Sequence, residues 1–489
     1  MRHRVIFDPS VSAATGRSRS HAIVIGGSLA GMLTARLLSE HFDHVTIIER
    51  DRCPEGPVAR PGLSQARHVH VLLARGRMIV EELFPGVCEE LKAAGAQSSD
   101  AGLALAWLTP AGWGIRFRAG NELLSFTRDL LDWTLRRRLK KFTSVRFMEG
   151  YEVTGLLADA DRKNVTGISI RPRRKNETVV AEETNLFAEL VVDASGRASK
   201  APQWLAALGY PQPQETVINA HTGYASRIYH RPAGWQADWT ATFSQAAPPQ
   251  QPRAGILFPV EDNCWLVSLA GGGGDYPPTD EAGFLEFARS LPNPLIYQAI
   301  SRAEPVSPIH GNRSTINRLR HYERLTRQPE RFVALGDSVC AFNPVYGQGM
   351  SIAALGAQEL SGCLSEMRRR AEGDLTGLAQ TFQKRLAKIN EHPWMMATSE
   401  DYRYHGTEGG TPGLKVSLLH RYMDQVIYLT TKSVPVRSLF MDVQQMLRPP
   451  AALFSPEMIL RVAGTAVRRT FQNSQRIENR EYSFDALGS

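Results

Sequence analysis

The sequence predicts an α/β protein: a Rossmann-like unit with a parallel sheet, interleaved with an antiparallel β-sheet domain and followed by a helical C-terminal region. Three observations carry this prediction. The β-branched run His21–Gly26 leads through a glycine-rich turn into a helix, Leu29–Glu40, and a second strand, His44–Glu49, which together make a βαβ unit. Residues 214–330 have the alternation and turns of antiparallel hairpins. A buried strand returns at Arg331–Gly336 and is expected to join the first sheet.

Composition places the chain among globular proteins. Of its 489 residues, 43% are hydrophobic and 22% are charged, and no stretch is long and apolar enough to predict a transmembrane segment. Residues 1–20 lack the apolar core of a signal peptide, so we expect a cytoplasmic protein. The five cysteines are scattered and form no CxxC pair, which favours thiols packed in the core over a disulfide frame or a metal site.

The net charge of +8 is modest for this length. Its basic runs lack the interleaved aromatic residues of a nucleic-acid groove, so we expect no nucleic-acid partner. A general attraction for an anionic small molecule is the better interpretation.

The turn Gly26-Gly27-Ser28-Leu-Ala-Gly31 predicts a dinucleotide site. It follows a strand and opens a helix, whose free N–H groups and positive end bind a pyrophosphate. Gly26 permits the tight turn and Gly31 permits close helix–sheet packing, while Ser28 replaces the usual middle glycine. Glu49, at the end of the second strand, suits a ribose diol. FAD and NAD both fit this pattern.

A second site is predicted three hundred residues later. The strand ending at Gly336-Asp337 can place the Asp337 carboxylate against a polyol. A loop containing Pro344 follows, and Gly347 and Gly349 then start a helix with exposed N–H groups. Such a helix start stabilises negative charge on a flat ring such as a reduced flavin, whereas NAD would need no second arrangement of this kind. FAD is therefore favoured.

These motifs, with the Asp193-Ala-Ser-Gly-Arg197 segment between them, resemble the single-component (class A) flavin monooxygenases of the para-hydroxybenzoate hydroxylase type. The nearer likeness is to a subgroup that includes the epoxidases of polyether-antibiotic biosynthesis. It is carried by Gln65-Ala-Arg-His68-Val-His70 and by Ala341-Phe-Asn-Pro344-Val-Tyr346-Gly347, and it covers roughly residues 20–400.

The resemblance implies roles for individual residues. The ADP half of FAD would be held by Gly26, Gly27, Ser28, Gly31 and Glu49, with further cofactor contacts from Arg60, Arg128, the Val153 backbone, Asp193, Asp337, Gly347, Gly349 and Met350. The flavin ring would be surrounded by Gln65, His68, Pro344, Gly347 and Gln348. The second dinucleotide motif reads Asp-Ala rather than Asp-Gly at Asp193, which weakens any inference about NADPH recognition. No metal ligand set is implied.

The resemblance also implies a chemistry. NADH or NADPH would reduce FAD, O2 would add at the flavin C4a position, and the hydroperoxide would hydroxylate or epoxidise a small hydrophobic polyene or aromatic substrate. No protein nucleophile or base is required, and none is predicted. The residue patterns leave open a reductase of the geranylgeranyl reductase type and a non-catalytic flavin-binding protein. A halogenase is disfavoured because the W-x-W-x-I-P pattern is missing.

The domain boundaries follow from these assignments. We expect a flexible arm over 1–20, a discontinuous glutathione reductase-type FAD-binding domain over 21–200 plus 331–375, a β-rich substrate domain over 201–330, a helical region over 376–472 and a disordered tail over 473–489. Part of 66–127 could pack in the substrate domain, and 413–470 could touch a membrane surface. Five aromatic residues could line the substrate pocket, although core packing is the better interpretation of each: Trp235, Trp239, Phe243, Phe258 and Trp265.

Overall fold

The fold is taken from a computed structural model that describes residues 20–173, 182–370 and 374–465. The strands are β1 His21–Ile25, β2 His44–Glu49, β3 Gln97–Asp100, β4 Leu105–Thr109, β5 Gly112–Trp113, β6 Glu122–Ser125, β7 Val145–Glu149, β8 Tyr151–Ala158, β9 Val165–Pro172, β10 Thr184–Phe187, β11 Leu190–Asp193, β12 Glu215–Ile218, β13 Gly223–His230, β14 Ala241–Ser244, β15 Arg253–Val260, β16 Cys264–Gly271, β17 Glu304–Pro305, β18 His310–Asn312, β19 Asn317–Arg320, β20 Phe332–Ala334 and β21 Cys340–Ala341. The helices are α1 Leu29–Leu38, α2 Ala74–Leu83, α3 Val87–Ala93, α4 Ala101–Ala104, α5 Arg128–Leu139, α6 Ala201–Ala207, α7 Glu281–Arg289, α8 Pro294–Ile300, α9 Gly349–Arg370, α10 Leu378–Asp401, α11 Leu414–Thr430 and α12 Val434–Gln444. The arm expected over residues 1–20, apart from residue 20, and the tail expected over 473–489 lie outside the described residues.

The first sheet confirms the predicted α/β class. It is parallel, with strand order β20-β11-β1-β2-β7, so the strand near residue 333 joins the strands near residues 22 and 45. The central strand β1 is buried on both faces, as its unbroken β-branched run requires. Helices α1, α9 and α10 contribute buried leucines and alanines to the core around it.

The largest sheet runs β17-β13-β16-β15-β14-β4-β5, with β18 also paired to β13. The predicted hairpin around residues 261–263 is present as β15 and β16, paired antiparallel from Val260–Cys264 outward. β4 joins from a distant part of the sequence and pairs parallel to β14. This pairing, together with that of β4 and β5, brings residues 105–113 into the β-rich sheet. The domain boundaries stay a prediction.

Two parts of the secondary-structure prediction were incomplete. Residues 214–330 contain two helices, α7 and α8, as well as strands. They pack on one face of the largest sheet, where they bury Phe284 and Ile296 against Trp265 and Leu269. The sequence pattern of residues 66–95 predicts helix throughout, but the structure has α2 and α3 there. They are preceded by a short 3-10 turn and an extended segment at residues 68–73.

The C-terminal helices cover part of the other face of the largest sheet. Phe440 of α12 stacks on Trp107 of β4, with ring centroids 5.7 Å apart, and Phe243 of β14 lies on the same cluster. Within the described ranges, no helix has both the length and the apolar character needed to cross a bilayer.

Candidate flavin-binding site

The dinucleotide turn lies at the carboxyl end of β1, held tightly against β11. Gly26 has φ +104°, its N–H donates to the Ile48 carbonyl oxygen at 2.8 Å, and a Cβ there would lie 2.5 Å from the Ala194 carbonyl oxygen. At Gly31 a Cβ would lie 1.8 Å from the Gly26 carbonyl oxygen. Both glycines are therefore required by close backbone contacts, and the N-terminus of α1 faces the end of the sheet.

Glu49 lies beside this turn as predicted, but both of its carboxylate oxygens already have partners. Oε2 accepts from the Gly27 N–H at 2.8 Å and pairs with Arg60 Nη1 at 2.9 Å, and Oε1 accepts from the Asp51 N–H. Arg60 also lies 3.5 Å from Asp132. All of these side chains are buried, so Arg60 contributes the positive charge that holds three carboxylates, Glu49, Asp51 and Asp132, at the turn.

Arg128 is a buried cation with spare hydrogen-bonding capacity. It begins α5, whose start is fixed by Thr127, itself held by Glu261 of the β15–β16 turn. Its Nη2 donates to the Ser28 hydroxyl at 3.2 Å, and its Nε has no acceptor among the described residues. Burial lowers the pKa of the Arg128 guanidinium, opposed by the nearby charges of Asp132 and Asp337. This arrangement suits an anionic group at the N-terminus of α1.

The second predicted motif meets the first in one cleft. A Cβ on Gly336 would lie 3.2 Å from the Ala30 Cβ of α1, so the chain passes directly over the dinucleotide helix. The Asp337 carboxylate lies at the start of α9, 3.8 Å from where a Gly349 Cβ would be, and within the field of Arg128. Burial raises the pKa of Asp337, while the Arg197, Arg128 and Arg318 guanidiniums oppose that rise.

The start of α9 carries unpartnered polar atoms. Gln348 Oε1 and Ser351 Oγ are buried without a hydrogen-bond partner in the described part of the chain. Gly347 has φ +67°, and Met350 packs partly against the main core. The first N–H groups of a helix have no acceptor within it, so this end presents several donors together.

The loop that carries Pro344 is held by a residue the sequence analysis missed. Asp401, at the end of α10, accepts hydrogen bonds from Tyr346 Oη at 2.6 Å, Asn343 Nδ2 at 3.2 Å and Asn317 Nδ2 at 2.5 Å. Burial raises the pKa of Asp401 to about 6. Asp401 therefore positions the loop from 55 residues away along the chain, and no local motif marks it.

The segment from Gln65 to Val71 passes the same loop, since a Cβ on Gly347 would contact Val71. His68 Nδ1 hydrogen-bonds the Ser226 hydroxyl at 2.8 Å, and its ring packs edge-on against Tyr224. His70 Nε2 hydrogen-bonds the Gln65 carbonyl oxygen. The His70 ring is close enough to Arg128 to be affected by its charge, so it lies on the same side as the dinucleotide turn. His70 is a cleft residue that the predicted site set omitted.

Two predicted residues lie at the margin of the cleft. Asp193 is fully buried, and its oxygens accept from the Ser195 N–H, the Ser195 hydroxyl and the Ser199 hydroxyl. It therefore holds its own loop rather than presenting a free carboxylate. The Val153 side chain is packed in the main core, so only its backbone could meet a nucleotide. Arg197, the last residue of the Asp193–Arg197 segment, donates to the Phe342 carbonyl oxygen at 2.5 Å and so connects the loop after β11 to the loop that carries Pro344.

A cavity of ≈ 660 Å³ opens beside His68. Its lining includes Tyr224 and Tyr276 as well as the cations Arg67 and Arg313, and the Arg313 guanidinium lies 4.4 Å from the Tyr276 ring centre. Among the aromatic residues considered for the substrate pocket, Trp235, Trp239 and Trp265 instead pack with α7 and α8, and Phe243 packs on Trp107. Core packing was the correct interpretation of these four.

The cleft fits FAD. Arg128 Nε, which has no acceptor among the described residues, and the glycine turn at residue 26 suit a pyrophosphate. Gln348 Oε1, also without a partner there, and the glycine turn at residue 347 suit a flat ring. The Asp337 carboxylate suits a polyol.

Solved flavoproteins share this fold. Flavin-dependent brominase Bmp2 matches with a TM-score of 0.63 at 14% identity, over 92% of this chain and 100% of that one. PqsL, a probable FAD-dependent monooxygenase from Pseudomonas aeruginosa, gives 0.58 at 15%, over 78% and 98%. The myxobacterial chondrochloren halogenase CndH gives 0.58 at 15%, over 89% and 97%. The chain therefore has the fold of the FAD-dependent halogenases and monooxygenases.

Sequence similarity then defines the family. The chain is 31% identical over 399 residues to protein Rv3254 of Mycobacterium tuberculosis (strain ATCC 25618 / H37Rv), covering 81% of this chain and 83% of that protein. It belongs to the same family as Rv3254. No family model matches the chain.

His70 predicts an acid-sensitive cleft. Burial, then the Arg128 charge, lowers the pKa of His70 to about 3 from an ordinary value of 6.5. Below pH 6.5 the unfolded chain therefore binds a proton at His70 that the folded chain does not bind. The contribution of neutral His70 to the free energy of unfolding is fully present above pH 6.5 and is lost as the pH falls towards 3. We expect this ring to lower the free energy of unfolding by up to about 1.4 kcal/mol for each pH unit of acidification in that range.

Urea unfolding at pH 5 and pH 7.5 measures the effect. His70→Gln should show a smaller loss of unfolding free energy on acidification than the wild type. His405→Gln, at an exposed histidine, is the matched control and should behave as the wild type. Equal losses in the wild type and His70→Gln would refute the assignment.

Proposed function

We propose that the protein is an FAD-dependent monooxygenase that uses NADH or NADPH and O2 to hydroxylate or epoxidise a small hydrophobic molecule, a polyene or an aromatic compound. The single observation that carries the proposal is that the turn at residues 26–31 and the segment 336–349 lie against each other. A Cβ on Gly336 would lie 3.2 Å from the Ala30 Cβ, and Arg128, which donates to Ser28, lies in the field of Asp337. The finer likeness to polyether epoxidases rests on the Gln65–His70 and Ala341–Gly347 segments.

The residues present would divide the cofactor between them. Gly26, Gly27, Ser28, Gly31 and Arg128 would hold the pyrophosphate. Glu49 would take the adenosine ribose through its remaining lone pairs, beside Arg60. Asp337 would take the ribityl chain, and the start of α9, from Gly347 to Met350, would face the pyrimidine ring, with Gln65, His68 and Pro344 around the flavin. Bound FAD supplies the redox and oxygen-activating chemistry.

The chain's own contribution is to bind, orient and exclude water. Asp401 fixes the loop over the cleft through Tyr346 and Asn343, and Arg197 ties that loop to the Asp193 turn. Burial lowers the pKa of His68 to about 4, so its ring is neutral at pH 7 and adds no charge beside the flavin. A dry, ordered site limits wasteful loss of the activated oxygen.

The cavity beside His68 is our candidate for the approach of NAD(P)H. Arg67 and Arg313 supply positive charge for phosphates, and Tyr224 and Tyr276 supply flat faces for stacking. The chain's net charge of +8 supports the same attraction.

Isotope labelling tests the proposal. The FAD-loaded protein is reduced anaerobically with NADPH or NADH, then exposed to ¹⁸O2 with candidate polyenes and phenols. One ¹⁸O atom in the product is expected. A product without label would favour a reductase, and protein that cannot be loaded with FAD would refute the proposal.

Halogenation is the second candidate, because two of the structural neighbours are named as a brominase and a halogenase. Adding bromide or chloride to the same reaction discriminates between them. A halogenated product in place of an oxygenated one would support halogenation and contradict our first choice.

Arg128 offers a direct test of the cofactor site. Arg128→Gln removes a charge-assisted contact worth about 1.5–3 kcal/mol, so the Kd for FAD should rise roughly 10- to 100-fold. Fluorescence titration with FAD measures it. Arg137→Gln, on the exposed side of the same helix, should leave the Kd unchanged. An unaltered Kd in Arg128→Gln would remove Arg128 from the site.

A further inference from the structure

Arg437 of α12 is a buried cation that has no ionic partner among the described residues. Its exposed fraction is 3%, and Nε and Nη1 have no hydrogen-bond partner among the described residues. Burial alone lowers its pKa, to about 10, and no carboxylate contributes. Buried guanidinium groups are normally paired, because an isolated buried charge is strongly unfavourable. The described residues therefore supply no counter-charge to this guanidinium.

Aromatic residues surround this cation. Its guanidinium carbon lies 4.2 Å from the centre of the Trp107 ring, and Phe440 and Phe243 stack nearly parallel to that ring. Trp107 Nε1 is itself a buried donor without an acceptor in the described residues. Gly114 faces the guanidinium with no side chain, its Cβ position lying 3.6 Å from Nε. Two kinds of unused donor thus lie together beside flat apolar surface.

The place of this cluster in the fold connects it to the proposed flavin site. Trp107 and Phe243 lie on β4 and β14, on the face of the largest sheet that is covered by α12. The residue after α12, Gln445, caps the start of α2 by accepting from the Ala74 N–H at 2.8 Å. Met446 packs in the cluster that contains Phe342 and Tyr346. Arg437 is eight residues before Gln445, or about 12 Å along the helix.

We propose that Arg437 and Trp107 bind the carboxylate of an organic acid whose apolar body extends along α12 towards the loop at residues 343–347. This inference rests on the proposed function and deepens it: the hydrophobic substrate carries a carboxylate remote from its oxidised position. Arg437 would form a forked pair with the carboxylate, and the Trp107 N–H would donate to it. An inorganic anion would leave the surrounding apolar ring surface unused.

A pair of probes that differ only in charge tests this inference. Sodium 2-naphthoate and the uncharged 2-naphthamide are titrated by calorimetry into the FAD-loaded wild type, Arg437→Gln and Arg448→Gln. Arg448 is a largely exposed arginine shortly after the same helix, so its variant controls for net charge. The wild type and Arg448→Gln should bind naphthoate at least tenfold more tightly than naphthamide, and Arg437→Gln should lose this preference.

Several outcomes would overturn the proposal. They are equal binding of the two probes by the wild type, a preference retained in Arg437→Gln, and competition by chloride at the concentration of naphthoate. Should Arg437→Gln fail to fold, Arg437→Lys, which keeps the charge but loses the fork, is expected to weaken naphthoate binding tenfold. Flavin content separates the two proposals. An Arg437→Gln protein that keeps its FAD but loses its preference for naphthoate over naphthamide supports both. A wild type that never binds FAD refutes the proposed function, and the naphthoate comparison on that protein still decides the anion site.

Discussion

Replacing Gly31 with alanine is expected to abolish the proposed FAD binding and to lower the free energy of unfolding by about 3 kcal/mol, the upper part of the range for overpacking. A Cβ at this position would lie 1.8 Å from the Gly26 carbonyl oxygen. Neither atom belongs to a flexible side chain, so α1 has to move away from β1. The same movement withdraws the N-terminus of α1 from the pyrophosphate position.

Urea denaturation and FAD titration measure both parts of the effect. Gly362→Ala is the control, since Gly362 lies in α9 and no atom of the described residues is within 4 Å of its Cβ position. That variant should be neutral or gain up to about 1 kcal/mol from helix propensity. A Gly31→Ala protein with the stability and FAD affinity of the wild type would show that the close contact is not present in solution.

Replacing Arg60 with methionine should destabilise the protein by about 3–5 kcal/mol, because it removes one partner of a buried ionic network. Arg60 is the cation nearest to Glu49, at 2.9 Å, and it also faces Asp51 and Asp132. The uncompensated Glu49 carboxylate should also disturb the Gly27 turn that it accepts from. Thermal and urea unfolding measure the loss.

Two further variants make this prediction specific. Arg461→Met removes an exposed arginine that pairs with Glu457 one helical turn away, and should cost no more than about 0.5 kcal/mol. Adding Glu49→Gln to Arg60→Met should restore part of the stability. The amide oxygen still accepts from the Gly27 N–H and no charge is buried, at the cost of the bond from the Asp51 N–H. A loss of under 1 kcal/mol in Arg60→Met, or no recovery in the double variant, would contradict the network.

The glycine turns of the proposed cofactor site could be predicted because their physics is local. Gly26, Gly31 and Gly347 are fixed by a turn, a close contact or a positive φ, and each lies within a few residues of the strand or helix that requires it. The parallel sheet could be predicted for a similar reason, since strands buried on both faces are apolar throughout.

The rest depends on contacts between distant parts of the chain. Asp401 and Arg437 are single polar residues within helices. Only the folded chain shows that Asp401 accepts from three donors and that Arg437 Nε and Nη1 have no hydrogen-bond partner among the described residues. Helices α7 and α8 had a readable signal that was overlooked. Asp280 caps the first, and Asn293 followed by Pro294 caps the second.

The pairing of β4 with β14 affects how the protein is made. Ala106 and Thr242, which are hydrogen-bonded across these strands, are 136 positions apart in the sequence. The parallel sheet cannot be completed until β20, near residue 333, has been synthesised. At about 5–20 residues per second, the ribosome takes roughly 15–60 s between releasing β1 and β20. Throughout that time the nascent chain carries open, apolar strand edges. The strand order therefore leaves these edges exposed during synthesis, whatever the stability of the finished fold.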